Sequence, residues 1–339
     1  MTSKDFLIYK VQKGDDIFSI AKRLQIHPVD LKSFHNGLCS PVEELLFDSL
    51  NGVDYIFVPV GNKNESLEYN ERLNERPTFN FTSSFYKKNY CVSQSSQEFN
   101  QETTIVQSEI ELDLKKTISL ENCLNFSQSN FKLNNKALET KIELLSLAVL
   151  EVVYPIELIL DEKGVFKRIE NTENILNRLK QNNSIIEESF EGEITANYLD
   201  KITYNLTQSS YLFHSFESSL LFQTLFLNKR IFLSEAFKKY FFLVPNSFGI
   251  LCECEVVYNH DYDDFVQTII KGKSIENYTL EEVLNGVKND ETEKDSSFYA
   301  TIYFEYKTDK KNKQLLWAKG EFILFEDEEF YKKFQLILE

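Results

Sequence analysis

Residues 9–21 read YKVQKGDDIFSIA, and this stretch decides how the amino-terminal part of the chain folds. Apolar and polar residues alternate up to Gly14, which predicts a strand. Gly14 and Asp15 end the alternation, and the Asp16 carboxylate can cap a helix. From Ile17 onward, apolar residues follow at i, i+3, i+4 and i+7, so the pattern predicts a short amphipathic helix directly after Asp16.

A second helix and a closing strand complete this part of the chain. Pro28 suits the first turn of a helix, and that helix is predicted to end near Asn36 and Gly37. The apolar run 55–58, followed by Pro59, predicts a strand. The expected order is therefore strand, helix, helix, strand.

These segments resemble a LysM domain. The resemblance rests on residues 9–21, on Leu31 with His35 and Asn36, and on the ending YIFVP at 55–59. It assigns residues 1–60 to the domain and implies a βααβ fold. Many members of the family bind N-acetylglucosamine-containing glycans such as peptidoglycan or chitin, so the resemblance also implies glycan binding. Carried over to this chain, the glycan-binding groove consists of Gly14, Asp15, Asp16, Ile17, Asn36 and Gly37.

Two features depart from the family's pattern. Asp16 stands where the family usually has Thr, which adds a negative charge where the groove begins. The connection 37–54 is longer than usual, and its segment 40–43 (SPVE) is typical of a capping box. An extra helical turn carrying Leu45, Leu46 and Phe47 is predicted there, and it would fill or reshape the groove.

Composition and charge narrow the function classes. Acidic residues exceed basic ones by 53 − 37 = 16, so a nucleic-acid partner is not expected. The short apolar stretch near Phe6 does not make a signal peptide, and no segment reaches the length of a membrane span. Five dispersed cysteines are typical of reduced thiols rather than of a disulfide framework. These observations predict a cytoplasmic protein with no membrane partner.

Residues 61–80 are polar and mixed in charge, which predicts a linker with at most one helical turn, before a second domain over 81–339. Strands are predicted around Tyr90–Ser95 and Thr103–Lys116 as one hairpin. A second hairpin is predicted across Gly164, followed by a helix from Asn171 to about Lys180.

The remainder of the second domain mixes helices and strands. Several helices are predicted over 192–240, and strands over 241–271, 297–307 and 314–325. The fold class is therefore α+β: a small βααβ LysM domain followed by a larger α+β domain with an antiparallel sheet and helices.

Residues 85–339 also resemble, more faintly, an uncharacterised domain that follows an N-terminal LysM domain in flavobacterial proteins. The genes for such proteins are often associated with contractile injection or type VI-like secretion. The resemblance implies a protein partner in a secretion or injection assembly.

No catalytic residue, metal ligand or cofactor site is predicted. Among the histidines, His35 is expected to be a partly exposed helix-end residue. Cys252 and Cys254 are spaced too closely for a zinc ligand pair, and on a strand they share one buried face. The acidic runs 187–188 and 327–329 are typical of a solvated surface rather than of glycosidase carboxylates.

The aromatic-rich stretch 211–226 has helical spacing and admits two interpretations. It is either a buried core helix or one wall of an apolar groove that accepts a partner segment.

Two functions follow from the sequence. The favoured one is a non-enzymatic adaptor whose LysM unit docks on an assembly while the larger domain holds a client. The alternative is a cell-wall protein that binds peptidoglycan glycan, and a wall hydrolase has no residue in its favour.

Overall fold

The computed structural model describes residues 6–12, 14–24, 26–39, 45, 48, 50, 52–59, 72–78, 81–82, 84–115, 122–208, 210–245, 247–288 and 298–339. The chain divides into two compact units between Arg76 and Pro77.

The first unit has the order strand, helix, helix, strand. Its elements are β1 (Phe6–Lys10), α1 (Ile17–Leu24), α2 (Pro28–Asn36) and β2 (Tyr55–Pro59), and β1 pairs antiparallel with β2. Asp16 caps α1 as predicted, because its carboxylate accepts a hydrogen bond from the Ser19 N–H at 2.7 Å. The core of the unit consists of buried residues from both helices and β2, together with Leu45 and Leu50.

Two sequence predictions for this part of the chain fall largely outside the described residues. These are the capping box at 40–43, with Leu46 and Phe47 of the turn that it would open, and most of the linker 61–80. Within the linker, residues 72–75 are helical.

His35 lies in the core of the first unit, so its predicted partial exposure is wrong. The side chain is 1% exposed. Its Nδ1 accepts a hydrogen bond from the Phe57 N–H at 3.1 Å, and its ring stacks on the Phe57 ring. The imidazole therefore joins the end of α2 to β2.

The second unit contains twelve strands within the described residues, all in one sheet. They are β3 (Asn89–Glu98), β4 (Thr104–Lys115), β5 (Asn122–Leu133), β6 (Lys136–Ala137), β7 (Ile156–Leu160), β8 (Phe166–Ile169), β9 (Ala236–Phe241), β10 (Ile250–Asn259), β11 (Phe265–Ser274), β12 (Phe298–Asp309), β13 (Leu315–Glu326) and β14 (Glu329–Leu338).

Its helices lie mostly between β6 and β9 in the chain. They are α3 (Lys141–Val153), α4 (Thr172–Ser189), α5 (Glu193–Thr207), α6 (Tyr211–Glu217), α7 (Leu220–Leu225), a 3₁₀ helix (Lys229–Leu233) and α8 (Leu280–Asn285).

Every strand pair in the sheet is antiparallel, in the order β8-β7-β5-β4-β3-β14-β13-β12-β11-β10-β9, with β6 on β5. The predicted α+β class with an antiparallel sheet is therefore confirmed. The β3–β4 and β7–β8 hairpins are confirmed as well, and the second of them turns at Gly164 with φ +75°.

The structure corrects the prediction of helices over 192–240. Helices occupy Glu193–Thr207, Tyr211–Glu217 and Leu220–Leu225, but Ala236–Phe241 forms the edge strand β9. Alternating burial in AFKKYF has a period of two, and this short signal follows a long helical region that obscures it. The helix that begins after Asn171 continues to Ser189, nine residues beyond the predicted end.

The sheet has an inner face, which carries the buried side chains, and an outer face, which is partly open to solvent. In β12, Phe304 and Tyr306 are buried on the inner face, while Tyr303 and Glu305 lie on the outer face. Outer-face charges pair across strands: the Glu321 carboxylate lies 2.9 Å from Lys333 Nζ. One apolar face therefore remains to be covered.

The helices between β8 and β9 provide that cover. They lead from β8 at one edge of the sheet to β9 at the other edge. Along the way α6 packs on β8, and α7 packs on β13 and β14. One hydrophobic core therefore joins the helices to the inner face.

Lys229 is buried in this core, although it is cationic in water. Its side chain is 1% exposed, and its Nζ lies 3.1 Å from the centre of the Phe85 ring. It also donates a hydrogen bond to the Tyr86 hydroxyl at 3.4 Å. Burial lowers the pKa of Lys229 well below its usual value of 10.5. Aromatic faces thus stabilise a charge that desolvation disfavours.

We expect Lys229→Met to stabilise the protein at neutral pH, by about 1–2 kcal/mol, as when a buried charge gives way to an apolar side chain of similar volume. Between the lowered pKa and 10.5, the unfolded chain binds more protons than the folded chain, so the wild type gains stability as pH rises. The advantage of the variant should therefore shrink as the pH approaches 10.5. Urea unfolding of both proteins from pH 7 to pH 10 measures this difference.

All other titrating groups are common to both proteins and cancel in this comparison. Lys238→Met, at an exposed position on β9, is the matched control and should leave the stability within about 0.5 kcal/mol. A constant or growing advantage of Lys229→Met with pH would contradict the account.

Candidate functional site: an apolar cavity beneath the helices

A cavity of about 370 Å³ lies between the helices and the inner face of the sheet in the second unit. Its walls come from α3, α5, α6 and α7, and Gln94 of β3 and Gln128 of β5 lie at its sheet side. The volume falls in the range of small-molecule and side-chain pockets. The cavity is thus large enough to take an apolar group of a ligand.

The chemistry of the lining is apolar. None of the described residues that line the cavity is charged. Its helical walls carry aliphatic side chains, including Val149, Leu150, Val153, Ile202 and Leu206. Such a lining favours an uncharged occupant, because a charge would lose its hydration there without finding a partner.

Polar contacts at the sheet side connect the strands to the start of β7. The Gln128 side-chain amide donates to Ser108 Oγ at 2.8 Å, and its carbonyl accepts from the Tyr154 hydroxyl at 2.9 Å. Burial raises the pKa of Tyr154 far above its usual value, so this hydroxyl stays protonated and donates. The amide is therefore held in one orientation.

One polar atom in the cavity wall lacks a partner. Ser215 of α6 lines the cavity, and its hydroxyl oxygen is buried without a hydrogen-bond partner. Such an atom carries a free-energy cost that a polar atom of an occupant would relieve.

Helix α7 forms the inner wall, and buried hydrogen bonds hold it on the sheet. Tyr306 of β12 donates to the Thr224 carbonyl at 3.0 Å, and Tyr86 donates to the Leu225 carbonyl at 2.6 Å. These are carbonyls of the last turn, which the helix itself leaves unsatisfied. Gly320 of β13 permits the close approach, since a Cβ there would collide with Thr224 Oγ1.

Gln223 adds a two-way contact between α7 and the chain after β9. Its amide nitrogen donates to the Phe242 carbonyl at 2.8 Å, and its oxygen accepts from the Phe242 N–H at 2.9 Å. The side chain thereby satisfies both backbone groups of a residue that follows the edge strand.

A second, smaller cavity of about 180 Å³ adjoins the first. Gln94 and Ser219 line both cavities, and Phe242, Phe322 and Phe334 are among the other walls of the smaller one. The apolar space therefore continues past the start of α7 towards β14.

The acidic and basic side chains near α6 whose pKa is shifted lie outside the cavity lining. Burial raises the pKa of Glu217, while His214, Lys239 and Lys167 oppose that effect. Burial lowers the pKa of Lys239 to about 8, opposed by Cys254 and Glu217. Lys239 lies on the inner-face side of the edge strand β9, where an inward charge discourages pairing with another strand.

The structure places the predicted groove residues of the first unit in structural roles. Gly14 has φ +91°, which suits glycine at the turn after β1. The Asp15 carboxylate lies 2.5 Å from Arg23 Nη2 and accepts from the Gln12 N–H at 2.8 Å. This backbone bond, together with Arg23, lowers the pKa of Asp15.

The remaining groove residues hold the unit together. Ile17 is 1% exposed and belongs to the core. The Asn36 side chain accepts from the Leu45 N–H at 2.8 Å and donates to the Leu45 carbonyl at 3.3 Å. Gly37 follows α2, and its N–H donates to the Ser33 carbonyl. Asp16 caps α1, so five of the six residues have a hydrogen-bonding, turn or core role, and Gly37 follows the end of α2.

The cysteine pair and the acidic run that the sequence offered as candidate functional residues lie in a buried strand face and in a tight turn. Cys252 and Cys254 share the buried inner face of β10, as predicted, and burial raises the pKa of each thiol to about 12. Asp327 and Glu328 have positive φ in the tight β13–β14 turn. Among the described residues, no three His, Cys, Asp or Glu side chains are grouped as metal ligands.

The sequence analysis missed much of the site. Helix α3 was not predicted, although Thr140 and Glu143 form a capping box before an apolar run, a signal that finds such a helix. Gln94 and Gln128 lie on strands whose alternation gives no indication that the inner face becomes polar there.

Comparisons with known proteins do not assign a family. No protein-family model matches the chain, and no curated protein matches it. Among solved structures, one described as "lipid-protein interactions in lipovitellin" aligns with 10% identity over 74% of this chain, at a TM-score of 0.34. The aligned region is 24% of the lipovitellin chain, so this chain spans about a quarter of that protein. In the described part of the chain, no helix has the length and apolar character needed to cross a membrane.

We expect Gln223→Leu to destabilise the second unit by about 1–3 kcal/mol, because it removes the hydrogen bonds that Gln223 makes to the part-buried Phe242 N–H and carbonyl. Urea unfolding measures the change. Gln181→Leu, at an exposed position on α4, is the matched control and should be near neutral. Equal stability of the two variants would contradict the anchoring role of Gln223.

Proposed function

We propose that this protein is a non-enzymatic adaptor. In this proposal the second unit holds an apolar part of a partner in the cavity beneath α3, α5, α6 and α7, and the first unit docks the protein on a larger assembly. The observation that carries the proposal is the cavity itself: an uncharged apolar space with a buried, unpartnered Ser215 hydroxyl in its wall.

The aromatic-rich stretch supports this proposal because it serves both as core and as wall. Phe222 packs against Phe126, Phe166 and Phe226 at ring-centre distances of 5.1–5.3 Å. Phe216 and Phe222 also line the cavity. The two interpretations of this stretch in the sequence are therefore compatible, since a rigid core can present one side to a ligand.

The placement of the first unit's residues supports docking on a protein rather than on a glycan. Sugar recognition needs protein polar groups that can bind the hydroxyl groups of the sugar. The side chains of Asp15 and Asn36 instead form hydrogen bonds within the first unit. The resemblance to LysM proteins in contractile injection or type VI-like secretion indicates the kind of assembly. Peptidoglycan binding is the competing function, and a sedimentation experiment with insoluble peptidoglycan distinguishes it from protein docking.

The uncharged dye N-phenylnaphthylamine, whose fluorescence rises in apolar surroundings, should bind the purified full-length protein saturably at one site. Ser215→Leu should weaken this binding about fivefold or more, because overpacking a filled site costs at least about 1 kcal/mol. The variant removes an unpartnered hydroxyl, so its thermal stability should not fall. A fluorescence titration and a melting curve measure both effects.

Ser129→Leu is the matched control, since Ser129 is exposed on β5 and does not line the cavity. It should leave dye affinity unchanged. Absence of saturable binding, or equal affinity in wild type and Ser215→Leu, would overturn the proposal that the cavity holds an apolar group.

Full-length protein mixed with insoluble peptidoglycan should remain in the supernatant after centrifugation, if the first unit is a protein-docking module. An established peptidoglycan-binding protein serves as the positive control. Pelleting that soluble N-acetylglucosamine oligomers compete away would contradict the docking role and favour the glycan-binding function.

A further inference from the structure

The part of the cavity between α3 and α5 is a groove, whose lining residues are Ser146, Val149, Leu150, Val153, Tyr198, Ile202 and Leu206. Contacts along these two helices show how they run. Lys141 Nζ donates to the Glu191 carbonyl, which places the start of α3 beside the turn before α5. Further on, the Tyr198 hydroxyl donates to Ser146 Oγ at 3.4 Å. The two helices therefore start together and run in the same direction.

Two exposed isoleucines extend the lining of the cavity to the start of this groove. Ile142 precedes the lining residues Ser146 and Val149 by four and seven positions, and Ile194 precedes Tyr198 by four, so each lies on the lined side of its helix. Yet Ile142 is 66% exposed and Ile194 is 74% exposed. Exposed aliphatic side chains on the cavity side of both helices mark an open end, which we call the groove mouth.

The mouth is acidic. Glu139 and Glu143 lie at the start of α3, and Glu191 and Glu193 lie at the start of α5. Hydrogen bonds from the Thr140 and Glu139 N–H groups lower the pKa of Glu143, which keeps this carboxylate charged. Lys141 is the basic residue in these two segments, and its Nζ binds the Glu191 carbonyl. An occupant with positive charge at this end is favoured, and an anionic surface is disfavoured.

The length of the α3 wall, counted from Ile142, indicates the size of the occupant. From Ile142 to Val153, α3 rises about 16 Å, at 1.5 Å per residue, which equals about three helical turns. Amphipathic helices bind grooves of this kind through apolar residues at i, i+3 or i+4, and i+7.

We propose that the groove between α3 and α5 binds an amphipathic helix of a protein partner, with basic residues at the end that lies beside Ile142 and Ile194. This inference rests on the proposed function and names the partner that the cavity serves. The partner's apolar face enters past the Tyr198–Ser146 contact, and its basic end pairs with the carboxylates of the mouth.

A fluorescein-labelled peptide of about 12 residues, with Leu at i, i+3, i+4 and i+7 and Lys at one end, tests the proposal by fluorescence anisotropy with the full-length protein. We expect saturable binding that weakens as salt is added. A scrambled peptide of the same composition, and one with Glu in place of Lys, should each bind at least about tenfold more weakly.

The double variant Ile142→Ser and Ile194→Ser should weaken binding of the first peptide about tenfold or more, because it removes two apolar anchors. Both positions are exposed, so the fold should remain intact. Ile185→Ser on α4 is the matched control: Ile185 is 60% exposed, but α4 contributes no lining residue. This control should bind the peptide as the wild type does.

Equal binding of the scrambled peptide, or unchanged affinity in the double variant, would overturn the proposal. Co-sedimentation with phosphatidylcholine vesicles, without peptide binding, would overturn it in favour of a lipid surface. If the peptide fails while N-phenylnaphthylamine still binds in a Ser215-dependent way, the helix partner falls and the apolar-cavity function stands. If both fail, the proposed function falls as well.

Discussion

The hydrogen bonds from Tyr306 and Tyr86 to the last carbonyls of α7 are the constraint on which the rest of the second unit depends. A twelve-stranded antiparallel sheet exposes a long apolar face that must be covered. The short helix α7 covers it over β13 and β14, but six residues supply little helical stability of their own. The tyrosines, Gln223 and the absence of a side chain at Gly320 provide that stability from outside the helix.

A cavity remains between α7, the neighbouring helices and the sheet. Phe222 belongs to the aromatic core and, together with Leu221 and Ser219, also lines the cavity. Helices α3 and α5 form further walls of the cavity and contact each other through Tyr198 and Ser146. The cavity is thus a consequence of how the cover is built, and its apolar lining matches the core from which it is continuous.

The sequence predicts the local elements well and their assembly poorly, for physical reasons. Asp16 caps a helix that begins at the next residue, and Gly164 forms the turn between two neighbouring strands. Both features depend on a few adjacent residues, so they could be recognised in the sequence. The pairing of β3 with β14 joins residues more than 230 positions apart, and no local pattern encodes it. His35 shows the same limit, because its burial depends on contact with Phe57 from a distant strand.

The candidate site was predictable only in part. The helical spacing of 211–226 indicated either a core helix or a groove wall. In the structure, Phe222 is buried in the core and also lines the cavity. The other walls come from α3 and α5, and the polar residues come from the sheet. The sequence patterns in these segments predict a helix or a strand, but they do not predict which other elements it will meet. A cavity arises where several elements meet, so its existence follows from packing rather than from any one motif.

Hydrogen–deuterium exchange of the full-length protein, with and without N-phenylnaphthylamine, tests the central claim most directly, because it locates the bound group without any substitution. The account predicts slower exchange in 141–153, 193–207 and 211–225, which form the cavity walls. It predicts unchanged exchange in the strand pair β10–β11, which contributes no residue to the cavity lining. Protection confined to the strands of 250–274, or no protection in the helices, would contradict the claim that the space beneath α3 and α5 is a binding site.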